Sequence, residues 1–258
     1  MDITPYLELM VEQSASDLFL SVGSPIRIKI RGKISPVSKG ILTVEGAESV
    51  AHKMMNQIQS AVFEKNLEID FAIRLPKTHE RFRVNVFRQQ GYVSMVLRHV
   101  KSHPPNLKEL GVPNVLADMV MRKRGLILMV GATGSGKSTT LAAMLNHRNE
   151  HQQGHIITIE DPIEFIHPHK KCLVNQRELG LDTYSYARAL RSCMREAPDV
   201  ILVGEIRDQE TMQAALELSN TGHLAISTLH ANNANQAMQR VINMFPQNRR
   251  KELLMDLS

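Results

Sequence analysis

Apolar and polar positions along this chain follow two rhythms, and the rhythm changes near residue 113. In the front part the period is mostly two. Residues 17–22 read as a strand, Gly23, Ser24 and Pro25 turn the chain, and residues 26–31 alternate Ile with Arg or Lys, as a half-buried strand does. Gly32 and Lys33 turn it again. Residues 69–74, 81–88 and 92–98 predict three antiparallel strands, the middle one reading Arg, Phe, Arg, Val, Asn, Val, Phe, Arg. Helical spacing occurs at residues 3–13, where Thr4 is the expected cap, Pro5 sits in the first turn, and Leu7, Met10 and Val11 share a face. A second helix opens at residues 43–48 and runs to about residue 57. These elements predict an α+β domain over residues 1–100.

Residues 101–113 contain Pro104, Pro105, Gly111 and Pro113, which stop regular structure, and are expected to be a linker. From Asn114 onward strands alternate with helices. Strands are predicted at 126–130, 155–160, 199–204 and 223–229, and helices at 114–123, 137–149, 183–196, 209–220 and 233–243. That alternation implies a parallel sheet with helices on both faces, a second domain spanning residues 114–258. Residues 246–258 read as one more helix that stops in mid-pattern, so the sequence is expected to be C-terminally truncated.

Composition narrows the classes. An apolar fraction of 43% and a charged fraction of 22% are those of a globular protein, and no apolar run approaches the length of a membrane span. The N-terminus has no signal-peptide pattern. Two cysteines, Cys172 and Cys193, make neither a disulfide framework nor a zinc site and read as packing residues. The net charge of +5 sits mostly in front, where residues 1–113 hold 15 Lys+Arg against 11 Asp+Glu. An anionic partner, nucleic acid or a membrane surface, is open for that half, although so mild an excess reads as a solvated face. Aromatics at 4% and the absence of Trp speak against a base-stacking surface.

The chemistry centres on Gly131, Ala132, Thr133, Gly134, Ser135, Gly136, Lys137, Ser138 and Thr139, which fit the phosphate-binding loop G-x-x-x-x-G-K-[ST]. A predicted strand leads in and a predicted helix leads out. Glycines let backbone N–H groups surround a triphosphate, the helix N-terminus adds positive partial charge, Lys137 reaches the β- and γ-phosphates, and the Ser138 hydroxyl ligates Mg²⁺. In an open parallel sheet ligands sit at the carboxyl ends of strands. Three other predicted strands end there in Glu160 and Glu164, in Glu205, and in His230. Glu205 suits the hydrated Mg²⁺, either Glu160 or Glu164 suits the role of base for the attacking water, and His230 suits a sensor of the γ-phosphate. His167, His169, Lys170 and Lys171 could be taken for a metal or phosphate cluster but read as an exposed loop.

Four blocks together resemble the type II/type IV secretion ATPases: residues 131–139, 158–164, 199–208, and Thr221 to His223 with Ser227 to His230. They stand in that family's order of Walker A, Asp box, Walker B and His box. The resemblance implies a RecA-like P-loop ATPase domain behind a smaller PAS-like N-terminal domain. Within the family the chain looks like the pilus retraction branch of PilT and PilU type, since it starts directly with that N-terminal domain and lacks the paired CxxC motif. Residues 10–19 and 230–237 are closer to the PilU type. The resemblance implies a cytoplasmic homohexamer, peripheral at the inner-membrane base of a type IV pilus, using ATP and Mg²⁺. Its implied partners are an inner-membrane platform protein and a PilT-type motor, with no nucleic acid and no membrane insertion. It also gives Arg81, Arg83 and Arg98 a role, since they match N-terminal-domain arginines that reach nucleotide phosphates; periodicity alone reads them as a solvated strand face. Two other readings stand beside the motor: a nucleotide-binding accessory subunit docked on another motor, and a nucleic-acid translocase.

Overall fold

The computed structural model describes residues 1–258 apart from Lys77, His79, Lys101, Ser102 and Ser258. The chain divides into two compact units, Met1–Ser102 and His103–Ser258.

The first unit runs α1 (Thr4–Glu12), β1 (Asp17–Ser21), β2 (Pro25–Ile30), β3 (Lys33–Ile41), α2 (Val44–Met54), α3 (Gln57–Asn66), β4 (Glu68–Arg74), β5 (Arg81–Gln89) and β6 (Tyr92–Val100). Its six strands form one antiparallel sheet in the order β3-β2-β1-β6-β5-β4. The period-two pattern decides the faces. Leu18 and Leu20, Ile26 and Ile28, Phe82, Val84 and Val86, and Met95 and Leu97 point to one side and pack on Leu7, Met10, Val50 and Phe63 of the helices. Several details differ from the sequence reading. Thr4 lies inside α1, and the Asp2 carboxylate accepts from its N–H at 2.9 Å. The helix expected from residue 43 to about 57 ends at Met54, and α3 follows it unpredicted, capped by Asn56 through a reciprocal pair of bonds with Gln59. The edge strand β3 was not predicted; Pro36 and Gly40 interrupt its pattern, and almost none of it is buried.

The second unit runs α4 (Val115–Val120), β7 (Gly125–Val130), α5 (Lys137–His151), β8 (Gly154–Glu160), β9 (Cys172–Glu178), α6 (Tyr186–Cys193), β10 (Val200–Val203), α7 (Gln209–Asn220), β11 (Leu224–Leu229), α8 (Ala234–Met244) and α9 (Arg250–Asp256). Its five strands are parallel in the order β7-β11-β10-β8-β9. Successive residues of each strand face opposite ways. Ile156, Val200, Leu202 and Ile226 meet Leu141, Met144 and Leu145 of α5. Ile157, Ile159, Ile201 and Val203 meet Leu190 of α6, Met212 and Leu216 of α7, and Val241 of α8. The sheet is therefore covered on both faces, and its strand ends open on one side. β9 was not predicted, and α4 and α6 are shorter than expected. Of the expected linker, Lys101 and Ser102 lie outside the described residues; from His103 the segment clusters with the second unit, and Leu107 packs against its core.

Candidate functional site

β7 delivers the chain into the phosphate loop, and α5 begins at Lys137. The loop needs its glycines for different reasons. Gly134 and Gly136 have φ of 77° and 89°, a left-handed backbone that side chains disfavour. At Gly131 an added Cβ would lie 2.6 Å from the Ser135 Oγ. Lys137 folds over the loop, its Nζ donating to the carbonyls of Gly131 and Ala132 at 2.9 Å each. Thr140 ties the first turn down by donating to the Gly136 carbonyl at 2.9 Å.

A cleft of about 230 Å³ opens beside this loop. Thr133, Gly134, Lys137 and Ser138 line it from one side, and Glu160, Glu164, Glu205 and His230 from the ends of the other strands. The sheet thus gathers the four groups that the sequence placed at its carboxyl edge.

The three carboxylates differ. Glu205 follows β10 and is 15% exposed, with Oε1 3.2 Å from the His230 Nε2 and Oε2 2.7 Å from Arg207. Glu160 ends β8 and is half-buried. Its Oε1 accepts from the Thr158 hydroxyl at 2.6 Å and from the Gln176 amide at 3.2 Å, and the Glu164 backbone N–H also bonds to its carboxylate. Burial outweighs those donors and pushes its pKa up to about 7. Glu164, four residues on, is exposed to the cleft, and among the described residues its carboxylate has no hydrogen-bond or ion-pair partner.

The donor set suits a magnesium ion. Among the described residues no group of three or more His, Cys, Asp or Glu could hold a metal by itself. Ser138 and Glu205 instead offer one hydroxyl and one carboxylate in the same cleft. That is the sparse oxygen set on which Mg²⁺ is held together with waters and substrate phosphates.

Several contributors were not singled out from sequence. Arg207, inside the 199–208 block, pairs with Glu205. Gln176 on the unpredicted β9 bonds Glu160, the Phe165 carbonyl at 2.9 Å and the His167 N–H at 2.8 Å. Tyr186 packs its hydroxyl against Gly204, and burial raises its pKa. Thr228 donates to the Gly204 carbonyl at 2.7 Å and lines the cleft. The expected exposed loop at 167–171 needs one correction: His167 is 6% exposed and reaches the cleft, because the Gln176 side-chain Oε1 accepts from its backbone N–H and holds it inward. Its burial drives the imidazole pKa down to about 4. His169, Lys170 and Lys171 are exposed. Cys172 and Cys193 are buried and free.

The three arginines belong to the other unit. Arg98 on β6 is 67% exposed and bonds the buried Asp17 at 2.8 Å. Arg83 on β5 lies 3.5 Å from Asp70. Arg81 is 8% exposed, so it is not the solvated residue that strand periodicity implies.

The chain is similar to several known proteins. PilU of Pseudomonas aeruginosa, a type IV pilus ATPase, is 48% identical over 258 residues, which cover this whole chain and 67% of PilU. PilT of the same organism, a type IV pilus retraction ATPase, is 46% identical over 246 residues, 95% of this chain and 71% of PilT. The crystal structure of the pilus retraction motor PilT with bound ADP superposes with a TM-score of 0.94 at 42% identity, covering 100% of this chain and 75% of that one. The ATPase DotB of Legionella pneumophila superposes with a TM-score of 0.82 at 27% identity, covering 98% of this chain and 73% of its own. A model of the type II/IV secretion system protein family matches residues 1–253, and the chain belongs to that family.

Proposed function

We propose that this protein is an ATP-hydrolysing motor subunit of a type IV pilus retraction machine, of the PilU kind. The observation that carries the reading is the single cleft holding Lys137, Ser138, Glu164, Glu205 and His230 at the ends of four parallel strands. The PilU and PilT relatives support the biological setting.

Phosphoryl transfer needs positioning and charge stabilisation more than covalent chemistry. Loop N–H groups and the start of α5 hold the phosphates, and Lys137 exchanges its carbonyl partners for the β- and γ-phosphate oxygens. Ser138 and Glu205 would hold Mg²⁺, which supplies neutralisation of the charge developing on the phosphates. Glu164 orients and deprotonates the attacking water, because its carboxylate faces the cleft without internal partners. Glu160 is already engaged by Thr158, Gln176 and the Glu164 backbone, and serves to fix the loop that carries Glu164. His230 couples the end of β11 to Glu205 through its Nε2 and reports on the γ-phosphate. Arg81, Arg83 and Arg98 of one subunit complete the cleft of a neighbour in a homohexamer that sits at the inner-membrane base of the pilus. There it works on a platform protein and beside a PilT-type motor.

Phosphate release from ATP, followed against protein concentration with Lys137→Ala as the blank, tests the reading. A per-subunit rate that climbs with concentration and vanishes in the variant is the expected result. A rate equal to the blank while ATP still binds would replace the motor with a nucleotide-gated accessory subunit.

A further inference from the structure

The charge of this chain is concentrated in one place. Between Asp17 and Glu45 no acidic residue occurs, while Arg27, Lys29, Arg31, Lys33 and Lys39 all do. Those five equal the net charge of the whole protein, +5, so the rest of the chain is balanced. They sit on the β2–β3 hairpin at one edge of the antiparallel sheet. Arg27, Arg31, Lys33 and Lys39 are exposed and Lys29 half-buried, and among the described residues none of the five forms an ion pair. Strands β5 and β6, further along the sheet, differ: Arg83 is paired with Asp70 and Arg98 with Asp17. Asp17 lies in register with Lys29, but its carboxylate already accepts from the Arg98 Nε and the Ser16 hydroxyl.

Protection of an open sheet edge accounts for Lys33, Pro36 and Lys39, since Lys and Pro blunt edge-to-edge pairing. It does not account for Arg27 and Lys29 one strand further in, nor for the lack of any acid. Nor does it account for Ile34 and Ile41, which stand 51% and 66% exposed among the cations. The hairpin, residues 25–41, has no aromatic, Asn, Gln or His side chain, so it lacks the rings that stack on nucleic-acid bases and the amides that read adenine. Diffuse positive charge with isolated aliphatic side chains suits a surface of densely packed anions over an apolar layer. That is the headgroup region of an anionic bilayer.

We infer that the β2–β3 hairpin is a docking surface for anionic phospholipid headgroups, adsorbing the first unit to a membrane without crossing it. The inference stands on residues outside the nucleotide cleft and goes beyond the motor reading. Attraction of this kind is electrostatic and collapses as salt shortens the screening length.

The test is co-sedimentation of the intact chain with vesicles of phosphatidylcholine alone or mixed with phosphatidylglycerol, at low and at high salt. Three proteins are compared: the parent, Arg27→Gln/Lys33→Gln/Lys39→Gln, and a control of equal net charge, Lys53→Gln/Lys65→Gln/Lys108→Gln. Each cation near an anionic surface contributes enough that the hairpin variant is expected to bind phosphatidylglycerol vesicles roughly a hundredfold more weakly. The control should stay within about twofold of the parent, and high salt should release both. Circular dichroism melts of all three show that each is folded. Equal losses in both variants, or no preference for phosphatidylglycerol, would overturn the inference. Hairpin-dependent binding to polyglutamate or duplex DNA with no vesicle binding would overturn it too, assigning the surface to an acidic protein or a nucleic acid.

Discussion

At the scale of single residues, close approach and burial set the chemistry of the cleft. Gly204 precedes Glu205 because there is no room for a side chain. A Cβ there would lie 2.9 Å from the Tyr186 hydroxyl and 3.3 Å from both the Glu160 Cα and the Ile159 carbonyl oxygen. Gly204→Ala is expected to cost about 1–3 kcal/mol in urea unfolding and to slow phosphate release, since two strand ends must part. Glu160 gives a pH signature. Its folded pKa is raised from 4.5 to about 7, so between those values the folded state holds a proton that the unfolded chain has lost. Its contribution is fully present below pH 4.5 and is lost as pH rises through 7, by roughly 3 kcal/mol at most. Glu160→Gln cannot ionise, so the difference in unfolding free energy between pH 5 and pH 8 should shrink in that variant. Glu164→Gln is the contrasting probe: ATP affinity should hold while single-turnover hydrolysis falls about 10²–10⁴-fold. The sequence displayed these groups without ranking them. Glu160 and Glu164 stand four apart with identical chemistry, and only burial and hydrogen-bond partners, which depend on residues 158 and 176, tell them apart.

At the scale of elements, the cleft wall is a loop pinned at several points. Residues 161–171 leave β8 and return as β9. Ile163 N–H bonds Glu178 Oε2 at 3.0 Å, and the Gln176 side chain holds Phe165 and His167. Asn149 of α5 accepts from the N–H groups of Lys170 and Cys172 and donates to the Pro168 carbonyl at 2.7 Å. α5 begins at the phosphate loop, so one helix fixes both sides of the cleft. Gln176→Leu should loosen Glu160 and the Glu164 loop together, lowering kcat about ten- to a hundredfold while leaving KM for ATP within about twofold. Steady-state kinetics separate the two. Elements with a dense apolar signal, such as β8, β10 and β11, were legible because parallel central strands are apolar on both faces. β9 was not, since Asn175, Gln176 and Arg177 give an edge strand no such run. β3 escaped for the same reason, with Pro36, Gly40 and four serine or lysine positions along an exposed edge. The missed β9 carried the missed Gln176, so one weak pattern hid both an element and a part of the site.

At the scale of the whole molecule, the candidate machinery is divided between the two units. The phosphate loop, the carboxylates and His230 lie in Gly125–His230 of the second, while Arg81, Arg83 and Arg98 lie on strands of the first. The sequence made both halves legible through motif and strand alternation; it carries no pattern that says whether the arginines serve their own subunit or the next. Mixing two defective proteins decides the point. Lys137→Ala removes the phosphate-binding cation but keeps the arginines, and Arg83→Gln keeps the cleft but removes one arginine. Arg83 is the cleaner choice over Arg98, because Arg98→Gln would leave the Asp17 carboxylate, 5% exposed, without its cation. If an arginine is supplied across a subunit boundary, an intact Arg83 on a Lys137→Ala subunit completes the intact cleft of an Arg83→Gln neighbour. An equimolar mixture, assembled together, should then hydrolyse ATP well above the mean of the two proteins measured apart. The ceiling is set by the share of boundaries that pair the two kinds correctly, about a quarter for random assembly, against the ~10³–10⁵ rate factor that a supplied arginine brings. A mixture that only averages its components would place the arginine within its own subunit, or outside the reaction.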